Sequence, residues 1–206
     1  MLSLSCSTTD PISVKVGVFG GSLSSARESE MGKNIWRKKL NIEVVTHGLG
    51  SAGFTDTAKQ KKSVPLQIED APPYDIYVLW ASTNDVRSGS VGDLESTDPS
   101  TQSGGIRESV SIIRKKNENA QILFFCSLPV FYDSRNSLIP FVEGQKSICK
   151  YLDIPYLDQF IFFNIDIYED YYRDDKTHLT EAGYAFIAPL QVEFIRKNID
   201  WTVFNR

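Results

Sequence analysis

The sequence predicts an α/β fold, a three-layer α/β/α sandwich around a central, mainly parallel sheet. Three observations predict it. Short runs of β-forming apolar residues alternate with amphipathic helical stretches along the chain, the pattern of a parallel sheet covered by helices on both faces. Several of the runs end in loops bearing serine, glycine or asparagine, and a parallel sheet gathers functional groups beyond the carboxyl ends of its strands. The chain has 206 residues, no internal repeat and no linker that would divide it. Residues 1–13 read as a flexible N-terminal segment and 14–206 as one domain.

The run from Val14 to Phe19 is a buried strand, because it is short, rich in valine and closed by Gly20 and Gly21. The paired glycines allow a sharp turn that delivers Ser22 to the top of the sheet. A helix over 28–40 follows, with Met31, Ile35, Trp36 and Leu40 near helical spacing. Its first turn leaves backbone N–H groups near Ser22, which favour an anion. Residues 42–46 make a second strand that leads into His47 and a loop of small residues holding Gly50 and Gly53. Residues 56–63 read as helical, and Pro65, Pro72 and Pro73 as breaks.

Tyr74 to Trp80 is the third strand, and it runs directly into Ala81, Ser82, Thr83, Asn84 and Asp85. Residues 87–105, rich in Gly, Ser, Thr and Asp, read as a long surface loop that serves as a lid or is a simple insertion. A helix over 106–117 shows its period in Ile106, Val110 and Ile113. Residues 121–126 form a fourth strand, 139–152 a helix and 154–157 a short fifth strand. The stretch 160–172 is aromatic and without a clear period; its Tyr168, Tyr171 and Tyr172 either line a cleft or are partly buried. Asp175 and His178 then precede a final amphipathic helix over 179–197.

Composition narrows the function. Hydrophobic residues make up 41% and charged ones 23%, the mix of a soluble globular chain. A net charge of −4 gives no basic face for nucleic acid, and the clusters at 37–39 and 59–62 read as solvated helix ends. Cys6, Cys126 and Cys149 have no metal-ligand spacing, and only His47 and His178 could join them, so no metal is expected. Cys126 reads as a small buried hydrophobe. No stretch approaches the roughly 20 apolar residues of a membrane span. Residues 1–10 lack a full signal peptide; they read equally as a cytoplasmic start or as the cleavage end of a lipoprotein signal, and the compartment stays open.

Four loops at the predicted carboxyl ends thus carry Ser22, Gly53, Asn84 and Asp175 with His178. In that order they resemble the SGNH (GDSL-like) hydrolase superfamily, from Val16 to about Ile195. The family's Gly-Asp-Ser-Leu reads Gly20, Gly21, Ser22, Leu23; its Gly-x-Asn-Asp reads Ser82, Thr83, Asn84, Asp85; its Asp-x-x-His is Asp175 to His178. The second block supplies a glycine, for which Gly53 is the best match and Gly50 the alternative. The resemblance implies a flavodoxin-like sandwich and an esterase without a cofactor. It implies Ser22 as nucleophile, His178 as its base and Asp175 as the orienting carboxylate. The oxyanion would be bound by the N–H groups of Ser22 and Gly53 and the amide of Asn84. The expected substrate is an ester of a short acyl group such as acetyl on a carbohydrate. Gly21 and Ser82 depart from the family pattern. Two other readings remain: a non-catalytic carbohydrate- or partner-binding module on the same scaffold, and a flavin or nucleotide binder using the glycine–serine turn as a phosphate loop.

Overall fold

Five parallel strands form one sheet in the order β2-β1-β3-β4-β5. They are β1 (Lys15–Gly20), β2 (Glu43–Thr46), β3 (Ile76–Trp80), β4 (Gln121–Phe125) and β5 (Tyr156–Leu157). The computed structural model describes residues 14–55, 62–129, 135–162 and 169–204. The helices are α1 (Ala26–Leu40), α2 (Val64–Asp70), α3 (Asp85–Ser88), α4 (Gln102–Lys116), α5 (Arg135–Tyr151), α6 (Gln159–Phe162) and α7 (Glu181–Asn198). None of them is long and apolar enough to cross a membrane. The N-terminal segment expected over 1–13, with Cys6, lies outside the described residues.

Side chains on a strand alternate between faces, and β3 shows both cores in five residues. Ile76, Val78 and Trp80 join Val16, Val18, Leu123 and Phe125 under α1 and α7. Tyr77 and Leu79 join Phe19, Ile122 and Phe124 under α2, α4 and α5. Both faces are apolar because both are covered, as in other all-parallel sheets.

Each predicted strand is present; β1 keeps its length but lies one residue later, ending at Gly20, and the other four are shorter than expected. Three predictions about helices are corrected. Pro65 does not break the chain: it sits in the first turn of α2, where a missing N–H costs nothing. The loop expected over 87–105 is shorter, because α3 occupies its start and α4 begins at Gln102. Thr101 caps α4, its Oγ1 accepting from the Gly104 N–H at 3.0 Å. In α1, Met31 is exposed and Lys33 is fully buried, the reverse of a hydrophobicity ranking. Of the aromatic stretch, 160–162 closes α6, Glu169–Tyr171 is a 3-10 turn, and Tyr168 lies outside the described residues, as do 56–61 of the expected helix. Tyr172 is buried in the core and its Oη donates to Pro129 O at 2.8 Å, so it does not line a cleft. Tyr171 stacks on Phe186 with ring centroids 4.7 Å apart.

Candidate active site

Strand order reverses direction at β1, whose neighbours are β2 on one side and β3 on the other. The loops leaving β1 and β3 therefore open side by side, at the place where such sheets bind ligands. Gly20 pairs with Trp80 at the last step of the ladder, so the Ser22 turn and the Ser82–Asp85 turn start level with each other.

The turn Ser22–Ser24 is a single 3-10 turn whose carbonyls are all engaged. Gly21 O accepts from Ser24 N at 3.1 Å and Ser24 Oγ at 2.9 Å. Ser22 O accepts from Ser25 N at 3.0 Å. Leu23 O takes the Tyr184 hydroxyl of α7 at 2.9 Å, and Ser24 O takes the Lys33 ammonium of α1 at 2.7 Å. Beneath the turn, Gln67 of α2 accepts from Gly20 N and donates to Gly20 O, both at 3.1 Å. Three helices thus fix one short turn. Burial holds the Lys33 ammonium down to about 7; the Glu30 carboxylate opposes this and Arg37 adds to it.

His178 comes from the other end of the chain. Its loop is closed by Arg173 N to His178 O at 2.8 Å and by Lys176, which takes a left-handed φ of 54°. Thr180 then caps α7, accepting from Gly183 N at 3.1 Å. Asp175 Oδ1 accepts the backbone N–H groups of Thr177 and His178, each at 2.9 Å. Its Oδ2 lies 2.7 Å from His178 Nδ1. Partial desolvation works to raise the Asp175 carboxyl, but the His178 and Thr177 N–H donors outweigh it and hold the group below the usual carboxylate range.

His178 Nε2 lies 2.8 Å from Ser22 Oγ, across 156 positions of sequence. An ionised carboxylate can only accept, so Nδ1 carries the ring proton and Nε2 accepts from the serine hydroxyl. Hydroxyl, imidazole and carboxylate therefore form one chain, an arrangement able to draw a proton from Ser22 Oγ.

Beside Ser22, Asn84 Nδ2 donates to Ala52 O at 2.9 Å and Ser82 Oγ at 3.2 Å. Gly53 is buried, and a side chain there would collide with the Asp85 carboxylate; Gly50 faces open space. Asp85 is fully buried, its Oδ1 accepting from Thr55 N at 3.0 Å and Thr55 Oγ1 at 3.1 Å. Burial pushes its carboxyl up, against the hydrogen bonds it accepts. Among the described residues, the backbone N–H groups of Ser22 and Gly53 have no acceptor. His47, to which the sequence assigned no role, is 2.7 Å from the Tyr74 hydroxyl and stacks on Phe19.

The structure thus brings Ser22, His178 and Asp175 into one hydrogen-bonded chain and sets Asn84 and Gly53 on the turns next to it. Sequence reasoning singled out Ser82 only as a departure from the family pattern, and it missed the supporting residues Gln67, Lys33 and Tyr184. Lys33 lies three residues before Trp36 on the inward stripe of α1, a signal that its charge must find acceptors inside.

The GDSL-like lipase/acylhydrolase family profile matches residues 18–186. No curated protein is similar enough in sequence to match the chain. Among solved structures, the chain is similar to a possible lipase from Chitinophaga pinensis, 18% identical, TM-score 0.68, with 89% of this chain and 98% of that chain covered. The lipase/acylhydrolase from Enterococcus faecalis is 15% identical, TM-score 0.62, with 89% and 96% covered. An acetyl xylan esterase is 16% identical, TM-score 0.61, with 87% and 98% covered. At these identities the likeness is one of fold.

Proposed function

Because this chain belongs to the GDSL-like lipase/acylhydrolase family, we propose that it hydrolyses an ester through an acyl-enzyme on Ser22. The observation that carries the reading is the 2.8 Å contact between Ser22 Oγ and His178 Nε2, with Asp175 2.7 Å behind the ring. Ser22 Oγ attacks the ester carbonyl while its proton passes to His178 Nε2. The negative charge that develops on the carbonyl oxygen meets the N–H groups of Ser22 and Gly53 and the amide of Asn84. For Asn84 to donate there, its bond to Ala52 O or to Ser82 Oγ is shared or exchanged. Collapse of the intermediate expels the alcohol, which takes the proton from His178. Water then attacks the acyl-Ser22 carbonyl, giving its proton to His178, and the carboxylic acid leaves as Ser22 Oγ recovers it. Asp175 keeps the imidazole in the tautomer that this cycle needs.

The substrate we propose is an ester of a short acyl group, such as acetyl on a carbohydrate. A structural relative is itself an acetyl xylan esterase, which supports that choice. The test is turnover of a short-chain chromogenic ester, with wild type and Ser22→Ala side by side. Loss of at least about 10⁴-fold in kcat for Ser22→Ala is expected. A wild type that neither turns over such esters nor reacts with a fluorophosphonate would instead favour a binding module on this scaffold. A rate unchanged by Ser22→Ala would remove that serine from the chemistry.

A further inference from the structure

The two departures from the family motifs touch each other. Gly21 stands where the first motif has Asp, and Ser82 where the third has Gly. The backbone at Gly21 is extended, with φ −86° and ψ −159°, a conformation open to any L-residue. Space is what keeps a side chain out. A Cβ placed there would lie 2.7 Å from Ser82 Cβ, 3.0 Å from Ser82 Oγ and 2.7 Å from Ala52 O.

Ser82 does more than fill that volume. It is buried, and its Oγ donates to Ala52 O at 2.8 Å. The same oxygen accepts from Asn84 N and Asn84 Nδ2, each at 3.2 Å. Asn84 Nδ2 also reaches Ala52 O. Three polar groups from two loops therefore converge on one hydroxyl. A peptide unit is planar, so fixing the Ala52 carbonyl also fixes the direction of the Gly53 N–H.

We propose that Ser82 is a positioning residue: its side chain occupies the space left at position 21, and its hydroxyl sets the Asn84 amide and the Gly53 N–H relative to Ser22. Gly21 and Ser82 are then one matched exchange rather than two separate losses. The packing half of this proposal stands alone; its effect on turnover rests on the ester-hydrolase reading above.

The test is a double-mutant cycle of wild type, Gly21→Ala, Ser82→Gly and the double variant, with Ser82→Ala beside it. Thermal unfolding is read for all five proteins, and kcat and KM on a short-chain ester for those that fold. Overpacking in Gly21→Ala lowers Tm by about 5 °C, and Ser82→Gly in the same chain restores at least about half of that. Should Gly21→Ala fail to fold, a folded double variant is the same coupling. Ser82→Ala keeps the Cβ and loses the hydroxyl: kcat falls roughly 10- to 100-fold while KM stays within about twofold. Additive Tm changes, or failure of the double variant to fold, overturn the exchange. An unchanged kcat in Ser82→Ala, or a rise in KM alone, overturns the positioning role. If wild type and Ser22→Ala turn over equally, the hydrolase reading fails, and the unfolding cycle still decides the exchange.

Discussion

Replacing Lys33 by Met removes the slope with which stability rises from pH 7 to pH 9. Lys33 is fully buried and faces two carbonyls, with Nζ 2.7 Å from Ser24 O and 3.3 Å from Ser25 O. Glu30 and Arg37 are the charged neighbours that act on it, and desolvation dominates, holding its pKa at about 7 against an ordinary 10.5. The folded chain releases this proton near neutrality, whereas the unfolded chain keeps it until well above pH 9. Over that window the unfolded state binds more protons, so unfolding becomes harder as pH rises, by at most about 1.4 kcal/mol per pH unit. With the site half protonated at the start, the gain from pH 7 to pH 9 is about 2 kcal/mol. At a urea m-value of about 2 kcal/mol/M, the wild-type midpoint moves up by about 1 M relative to Lys33→Met. All other titratable groups are common to both proteins and drop out of the difference. Parallel midpoint curves for the two proteins would refute the reasoning, showing that Lys33 is charged in the fold or water-exposed.

The carboxylates Asp175 and Asp85 give the remaining outcomes. Asp175→Asn lowers kcat by about 10²- to 10⁴-fold in the chromogenic assay, because an amide facing Nδ1 favours the wrong tautomer. In wild type the Asp175 contribution to stability is complete above the unfolded Asp pKa and is lost as pH falls through the lower folded one. Asp85 behaves in the opposite sense: burial raises its carboxyl, so its contribution is present in acid and lost as pH rises through the folded pKa. Asp85→Asn keeps an acceptor for Thr55 and carries no charge; its urea midpoint at pH 8 is at or above wild type. Asp85→Ala leaves the Thr55 donors unpaired and falls below by about 1–3 kcal/mol.

The sheet was legible because buried parallel strands are written as short apolar runs, and both faces of β3 are covered. The start of α7 was legible in outline, since Thr180 and Glu181 open it in the ordinary way. The start of α4 was not. Thr101, Gln102, Ser103, Gly104 and Gly105 read as loop by composition, yet the small residues are what let this helix approach the backbone of Phe54. Ser22, Asn84, Asp175 and His178 could be singled out as candidates because each belongs to a loop with a recognisable motif. Gln67, Lys33 and Tyr184 could not be, and Ser82 was legible only as a departure, because their meaning lies in the backbone carbonyls and amides they reach. No one-dimensional pattern records which peptide group will need a donor. Gly21 and Ser82 read as two separate departures from the family motifs; the sequence does not record that a side chain at position 21 would meet Ser82.

The contact between Ser22 and His178 joins parts of the chain made at very different times. The two residues are 156 positions apart, so at cellular rates of synthesis the imidazole leaves the ribosome roughly 10–30 s after the hydroxyl. On the proposed mechanism, a nascent chain that stops before His178 lacks the base that Ser22 needs.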